Sequence, residues 1–256
     1  MSLNFESKPE IKLNRAPLDE VICQVKFSPI LSISKNIPSE FQEIVRNRFP
    51  NYEAVQNFVF QVPGVGSTEG VSLEAPAKSH IFMTKDGKSK ASISSDFFAF
   101  STTNYTHWFA FMENLITIEK GVAKVYNIST ATRIGLRFIN RFTLKNSNFH
   151  STNELLSLFR DELTCIIKAE PWKDPNESLL QLITSDNKAK LAIRVAYGKQ
   201  KREPFFVLDF DYFEDGKVIP LKKFEDKISF YHSRIYDAFR WCLKDDSLER
   251  FSPVVG

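Results

Sequence analysis

Residues 133–141, Arg-Ile-Gly-Leu-Arg-Phe-Ile-Asn-Arg, alternate in character. Read as a strand, they turn Ile134, Leu136 and Phe138 to one face and Arg133, Gly135, Arg137 and Arg141 to the other. The same period of two marks Val21–Phe27, where Val21, Cys23, Val25 and Phe27 oppose Ile22, Gln24 and Lys26. It predicts further strands over 58–62, 79–84, 90–94 and 97–101 in the first half, and over 132–144, 179–184, 189–197 and 205–213 in the second. Lys85-Asp86-Gly87-Lys88 suits a hairpin turn because Asp-Gly accepts positive φ, and Ser185-Asp186-Asn187 suits a second one.

A period of 3.6 takes over between these runs. Pro38-Ser39-Glu40 opens a helix with Phe41, Ile44, Val45, Arg48 and Phe49 at helical spacing and Pro50 as its stop. Asn104 is the expected cap of a long helix striped by Tyr105, Trp108, Met112, Leu115, Val122 and Tyr126. A helix over 152–168, capped by Ser151 or Thr152, carries Leu155, Leu156, Phe159, Leu163 and Ile166. After Pro220 a last helix carries Phe224, Ile228, Tyr231, Ile235, Phe239 and Cys242. Residues 63–78, rich in Gly, Ser and Pro, read as a loop.

The expected fold class is therefore α+β, with mostly antiparallel sheets. Two similar halves, 1–130 and 131–256, each run strand, short helix, antiparallel strands, long helix, joined sheet to sheet or edge to edge, or merged into one integrated domain. The 24 phenylalanines among 256 residues recur inside these segments, which suggests a wide core filled by large rings.

Charge changes the picture little. The net charge is +3, too small to advertise a nucleic-acid binder by itself. Residues 1–130 hold 13 basic and 13 acidic side chains; of the 34 and 31 in the whole chain, 21 and 18 fall in the remainder. Cys23, Cys165 and Cys242 are odd in number and set in apolar patterns, as expected of free thiols in a reducing compartment. The first ten residues lack a signal-peptide pattern and no run of about 18 apolar residues occurs, so a cytoplasmic protein without a membrane span is expected.

The arginine stripe is the foremost candidate site. Guanidiniums match phosphate oxygens, and Arg133, Arg137 and Arg141 stand about 13 Å apart along a strand. A simpler account pairs them with Asp209 and Asp211, which share one face of Phe206–Tyr212, in a cross-strand ladder. Asp209-x-Asp211 also suits Mg²⁺, although Glu214 and Asp215 beside Gly216 read as turn residues rather than as a third ligand. Residues 188–202 contain Lys188, Lys190, Arg194, Lys199, Lys201 and Arg202 and no acid: a solvated hairpin edge, or a docking face for an acidic partner or nucleic acid. His232, on the last helix, is the one histidine of the four placed beside an apolar stripe; a hydrogen-bonded boundary residue is the plainer reading. No metal spacing, nucleophile motif or phosphate-cradling loop is present, Gly64-Val65-Gly66 included, so neither a cofactor nor a metal is expected.

Taken together, Pro17–Val21, Arg133–Asn140 and the last helix with His232 and Phe239 resemble a sporadically distributed family of prokaryotic proteins of about 260 residues. Its activity, cofactors and catalytic residues are not settled, so none is carried over. The resemblance spans nearly the whole chain, and its patchy distribution implies an accessory role such as defence or a toxin–antitoxin function. The expectation is a module that binds another protein through a sheet edge or helix face, with homodimerisation compatible. The alternative is a nucleic-acid-binding or nucleic-acid-processing protein using the arginine stripe and the 188–202 hairpin. A small-molecule enzyme in a cleft between halves has the least support.

Overall fold

A computed structural model describes residues 3–56, 78–172 and 175–254. Within them the strands are β1 (Leu18–Lys26), β2 (Asn51–Gln56), β3 (Lys78–Met83), β4 (Ser89–Ile93), β5 (Phe97–Thr102), β6 (Thr130–Thr143), β7 (Glu177–Asp186), β8 (Ala189–Gln200) and β9 (Glu203–Pro220). They form one sheet in the order β2-β3-β4-β5-β1-β6-β9-β8-β7, every neighbouring pair antiparallel. The α+β class and the antiparallel pairing agree with the sequence, and the sheet dominates. The two segments meet edge to edge, through β1 and β6.

The helices are α1 (Leu31–Lys35), α2 (Ser39–Val45), α3 (Trp108–Tyr126), α4 (Leu144–Ser147), α5 (Thr152–Ser157), α6 (Asp161–Lys168) and α7 (Phe224–Cys242), followed by a 3₁₀ segment, Asp245–Phe251. Val21, Cys23, Val25, Ile134, Leu136, Phe138, Phe206, Leu208 and Phe210 send one sheet face into a core shared with α2, α3 and α7. Phe159 stacks on Phe206 with ring centroids 4.0 Å apart and meets Phe142 edge-on at 4.8 Å, while Phe142 meets Phe251 at 5.7 Å. The other face bears charge and a small apolar cluster of Ile22, Ile139, Ala196, Phe205 and Val207.

Several expectations need correction. Asn104 does not cap α3; His107 does, its ring accepting from Ala110 N at 3.2 Å. The helix expected over 152–168 is two helices, because Phe159 leaves the helical path to bridge Leu243, and Arg160 N donates to Cys242 O. Periodicity ran through the break because Leu155, Leu156, Leu163 and Ile167 all stay buried on either side of it, whereas Ile166, expected on the apolar face, is 49% exposed. Glu214, Asp215 and Gly216 lie inside β9 rather than in a turn. The first edge strand is Asn51–Gln56; the strand expected over 58–62 and the loop with Gly64 and Gly66 lie outside the described residues. Lys201 and Arg202, both at positive φ (52° and 71°), make the two-residue turn from β8 to β9.

The stacked aromatic seam under α5 carries a direct expectation. Phe159→Ala removes a fully buried ring and should cost about 3–5 kcal/mol, read as a lower urea midpoint with unchanged slope.

Candidate functional site

Three places among the described residues are candidate sites: the charged face of β6 and β9, the cleft at His232, and the outer edge of β7.

On the charged face, strand alternation places Arg133, Arg137 and Arg141 of β6 beside Asp209 and Asp211 of β9. Arg137 grips the fully buried Asp209 carboxylate in a fork, Nε to Oδ1 at 2.7 Å and Nη2 to Oδ2 at 2.8 Å. Arg194, from β8, donates Nη1 to Asp209 Oδ2 at 3.1 Å and Nε to Gln181 at 2.9 Å. Arg133 Nη2 reaches both oxygens of Asp211, at 2.9 and 3.1 Å, and its Nε stands 3.7 Å from Asp215. Arg141 pairs with Asp19 at 3.3 Å, a partner outside the expected ladder. Lys190 pairs with Asp215 at 3.4 Å. Arg133 and Arg141 also lie over the rings of Phe213 and Phe205 at 4.6 and 4.5 Å.

These contacts leave the arginines committed to carboxylates. Burial lifts the Asp211 carboxyl, and the guanidiniums of Arg133 and Arg137 oppose that shift. Gly135 has a steric reason: a Cβ there would come within 2.6 Å of the Arg133 guanidinium, which lies across it to reach Asp211. Among the described residues no group of three His, Cys, Asp or Glu side chains is arranged to hold a metal ion. Lys199, Lys201 and Arg202 sit at the β8–β9 turn, away from the ladder in sequence register.

His232 lies elsewhere. It projects from α7, buried, with its ring stacked on Trp108 of α3 at 4.0 Å and 6° and against Phe138 of β6 at 5.6 Å. Burial pushes its pKa down to about 4, so the ring is neutral at pH 7. It lines a cleft of about 530 Å³ with Tyr105, Asn140, Ile235, Tyr236 and Phe239. An extended segment, Leu3–Leu13, closes one side. Ile11 N donates to Tyr236 Oη at 2.9 Å, Tyr236 Oη donates to Pro9 O at 3.2 Å, and Arg234 Nη2 donates to Leu3 O at 2.7 Å. Glu10, half exposed on this segment, brings Oε1 to 3.8 Å from His232 Nε2. Reading the sequence missed Glu10, Tyr105, Trp108 and Asn140 as site residues. Tyr105 and Trp108 sat in a helical stripe indistinguishable from core, and Glu10 reaches the cleft only through tertiary contacts.

The third place is β7, hydrogen-bonded to β8 on one side and, among the described residues, last in the sheet on the other. Leu180 and Leu182 point to the helix-bearing face and Leu179 and Ile183 to the charged face, in register with Val195, Ile193, Ala196 and Ala192. All four are about half exposed, between 47% and 55%. Its far end is anchored by Asp186, which accepts from Tyr212 Oη at 2.8 Å and Arg234 Nε at 3.0 Å.

No protein-family model, no curated protein and no solved structure matches the chain. No helix among the described residues is long and apolar enough to cross a membrane.

Two measurements check this geometry. Arg137→Ala strips a buried carboxylate of its main partner and should destabilise the fold by about 3 kcal/mol in urea unfolding, with Arg137→Lys recovering only part because it cannot fork. His232 binds its proton more weakly folded than unfolded. Stability is therefore flat above the ordinary histidine value of 6.5 and falls as pH drops toward about 4, by about 3 kcal/mol in all. In His232→Phe that portion of the acid-side slope should vanish; an unchanged slope between pH 6.5 and 4 would show that the imidazole is not held neutral.

Proposed function

We propose that the protein is a non-catalytic binding module that takes an extended strand of a partner protein at the β7 edge. The observation that carries this reading is the edge itself. Over Ser178–Ser185 it bears no charge and no proline, the usual guards against strand addition, and it exposes aliphatic side chains on both faces. Added strands gain main-chain hydrogen bonds along such an edge, and alternate side-chain contacts supply selectivity.

The edge also fits itself. Antiparallel pairing of two copies about Gln181 sets Leu180 opposite Leu182 and Leu179 opposite Ile183, with Ser178 opposite Thr184 and no like charges facing across that run. A second copy is thus the first partner to test. Nucleic-acid binding through Arg133, Arg137 and Arg141 draws no support from the ladder, whose guanidiniums are occupied by carboxylates.

We further read the two halves as related units. From the central β1–β6 pair outward, each half places its last strand next, β5 or β9, and then its earlier strands in reverse order. A long helix, α3 or α7, follows that last strand in both. The three free cysteines fit the reducing cytoplasm.

Sedimentation velocity tests the edge. The chain should self-associate at micromolar concentration, and Leu180→Lys with Leu182→Lys should weaken that association about 100-fold without lowering the urea midpoint. A chain that stays monomeric to about 0.5 mM, and that also fails to take up a synthetic peptide of the 178–185 sequence, would remove the basis for strand addition at β7.

A further inference from the structure

We propose that the cleft between α3, α7 and the Leu3–Leu13 segment is a binding site for a small organic amine, an ammonium group carried on an apolar, ring-bearing body. Its volume of about 530 Å³ lies within the range of small-molecule sites, and Leu13, Phe138, Ile235 and Phe239 give it apolar walls.

Two polar groups line this apolar cleft without a cation or a hydrogen-bond donor bound to them among the described residues. The Tyr105 hydroxyl is buried with no hydrogen-bond partner. A buried phenol normally finds one, and leaving it bare costs free energy that a ligand would recover. Glu10 lines the same cleft as Tyr105. His232 Nε2 stands 3.8 Å from Glu10 Oε1, but burial lowers its pKa to about 4, so it supplies no counter-charge at pH 7. Among the described residues no lysine or arginine lies within ion-pair distance of Glu10; Lys12, on the rim, is exposed and does not reach it.

The charge balance decides the ligand class. A phosphate or carboxylate ligand would meet Glu10 with no paired cation to receive it. An ammonium group can donate an N–H to the Glu10 carboxylate and, once a small shift of the ring exposes it, another to the Tyr105 oxygen. The ring-bearing body then displaces water from the apolar walls. The Trp108–His232 stack closes the floor, and the neutrality of the imidazole matters because a charged one would compete for Glu10.

Tryptamine and indole-3-acetate share a ring and differ in the sign of their charge, so they test the claim as a pair. By ligand-observed NMR on the full chain, tryptamine should bind at least about tenfold more tightly than indole-3-acetate. Glu10→Gln should remove that preference, and Tyr105→Phe should weaken tryptamine several-fold. Ala16→Trp, at the exposed mouth, should block both probes. Unfolding midpoints for each variant establish that it is folded, and Glu10 and Ala16 are exposed positions where replacement leaves the core alone. Equal binding of the two probes, a preference that survives Glu10→Gln, or no binding of tryptamine at about 5 mM would each overturn the proposal.

Discussion

The pairing of β6 with β9 is the constraint on which the rest of the molecule depends. It runs from Thr130 opposite Pro220 to Thr143 opposite Phe205, and β6 also holds β1 on its other side, so both segments of the sheet hang from this strand. Strand alternation has a period of two, so a slip of one residue would drive Arg133 and Arg137 into the phenylalanine core and expose Ile134 and Leu136. Charge reinforces that register. Asp209 is fully buried, and a buried carboxylate is tolerated only with its partners in place; Arg137 from one side and Arg194 from the other supply them. The ladder thus ties β6, β9 and β8 together across the face opposite the core.

The charged face is closed in this way; the cleft lies over the central strands β1 and β6, and β7 is the last strand on one side of the described sheet. α7 touches both places. Arg234 fastens the end of β7 through Asp186 and the start of the chain through Leu3 O, while His232, Ile235 and Tyr236, one turn or less away, line the cleft. Tyr236 then fixes the closing segment by its hydroxyl, which accepts from Ile11 and donates to Pro9. One helix therefore contacts both the end of β7 and the segment that closes the cleft.

Legibility in the sequence followed the range of each interaction. The faces of β1, β6 and β9 were readable because alternation is local. So was the pairing of Arg133 and Arg137 with Asp209 and Asp211, since opposite charges on matching faces of two strands suggest a ladder. Arg141 with Asp19, and Arg194 with Asp209, were not: a side chain on a strand does not state which of two neighbours it faces. The break between α5 and α6 was invisible for a related reason. Leu155, Leu156, Leu163 and Ile167 keep helical spacing on both sides, and the cause of the break, the Phe159–Leu243 bridge, lies more than eighty residues away. His232 stood out as a boundary histidine, yet its stack on Trp108 depends on how α3 meets α7.

By itself, then, the sequence determined the α+β character, the alternating strand faces and most of the strand and helix positions, because these depend on the dihedral periods of neighbouring residues. Tertiary structure alone decided that the nine described strands join in one sheet, with β7 last among them on one side. It alone brought Glu10, Tyr105, Trp108 and His232 to one cleft. Both outcomes depend on contacts between residues far apart in the chain, some more than two hundred positions, which no local pattern encodes.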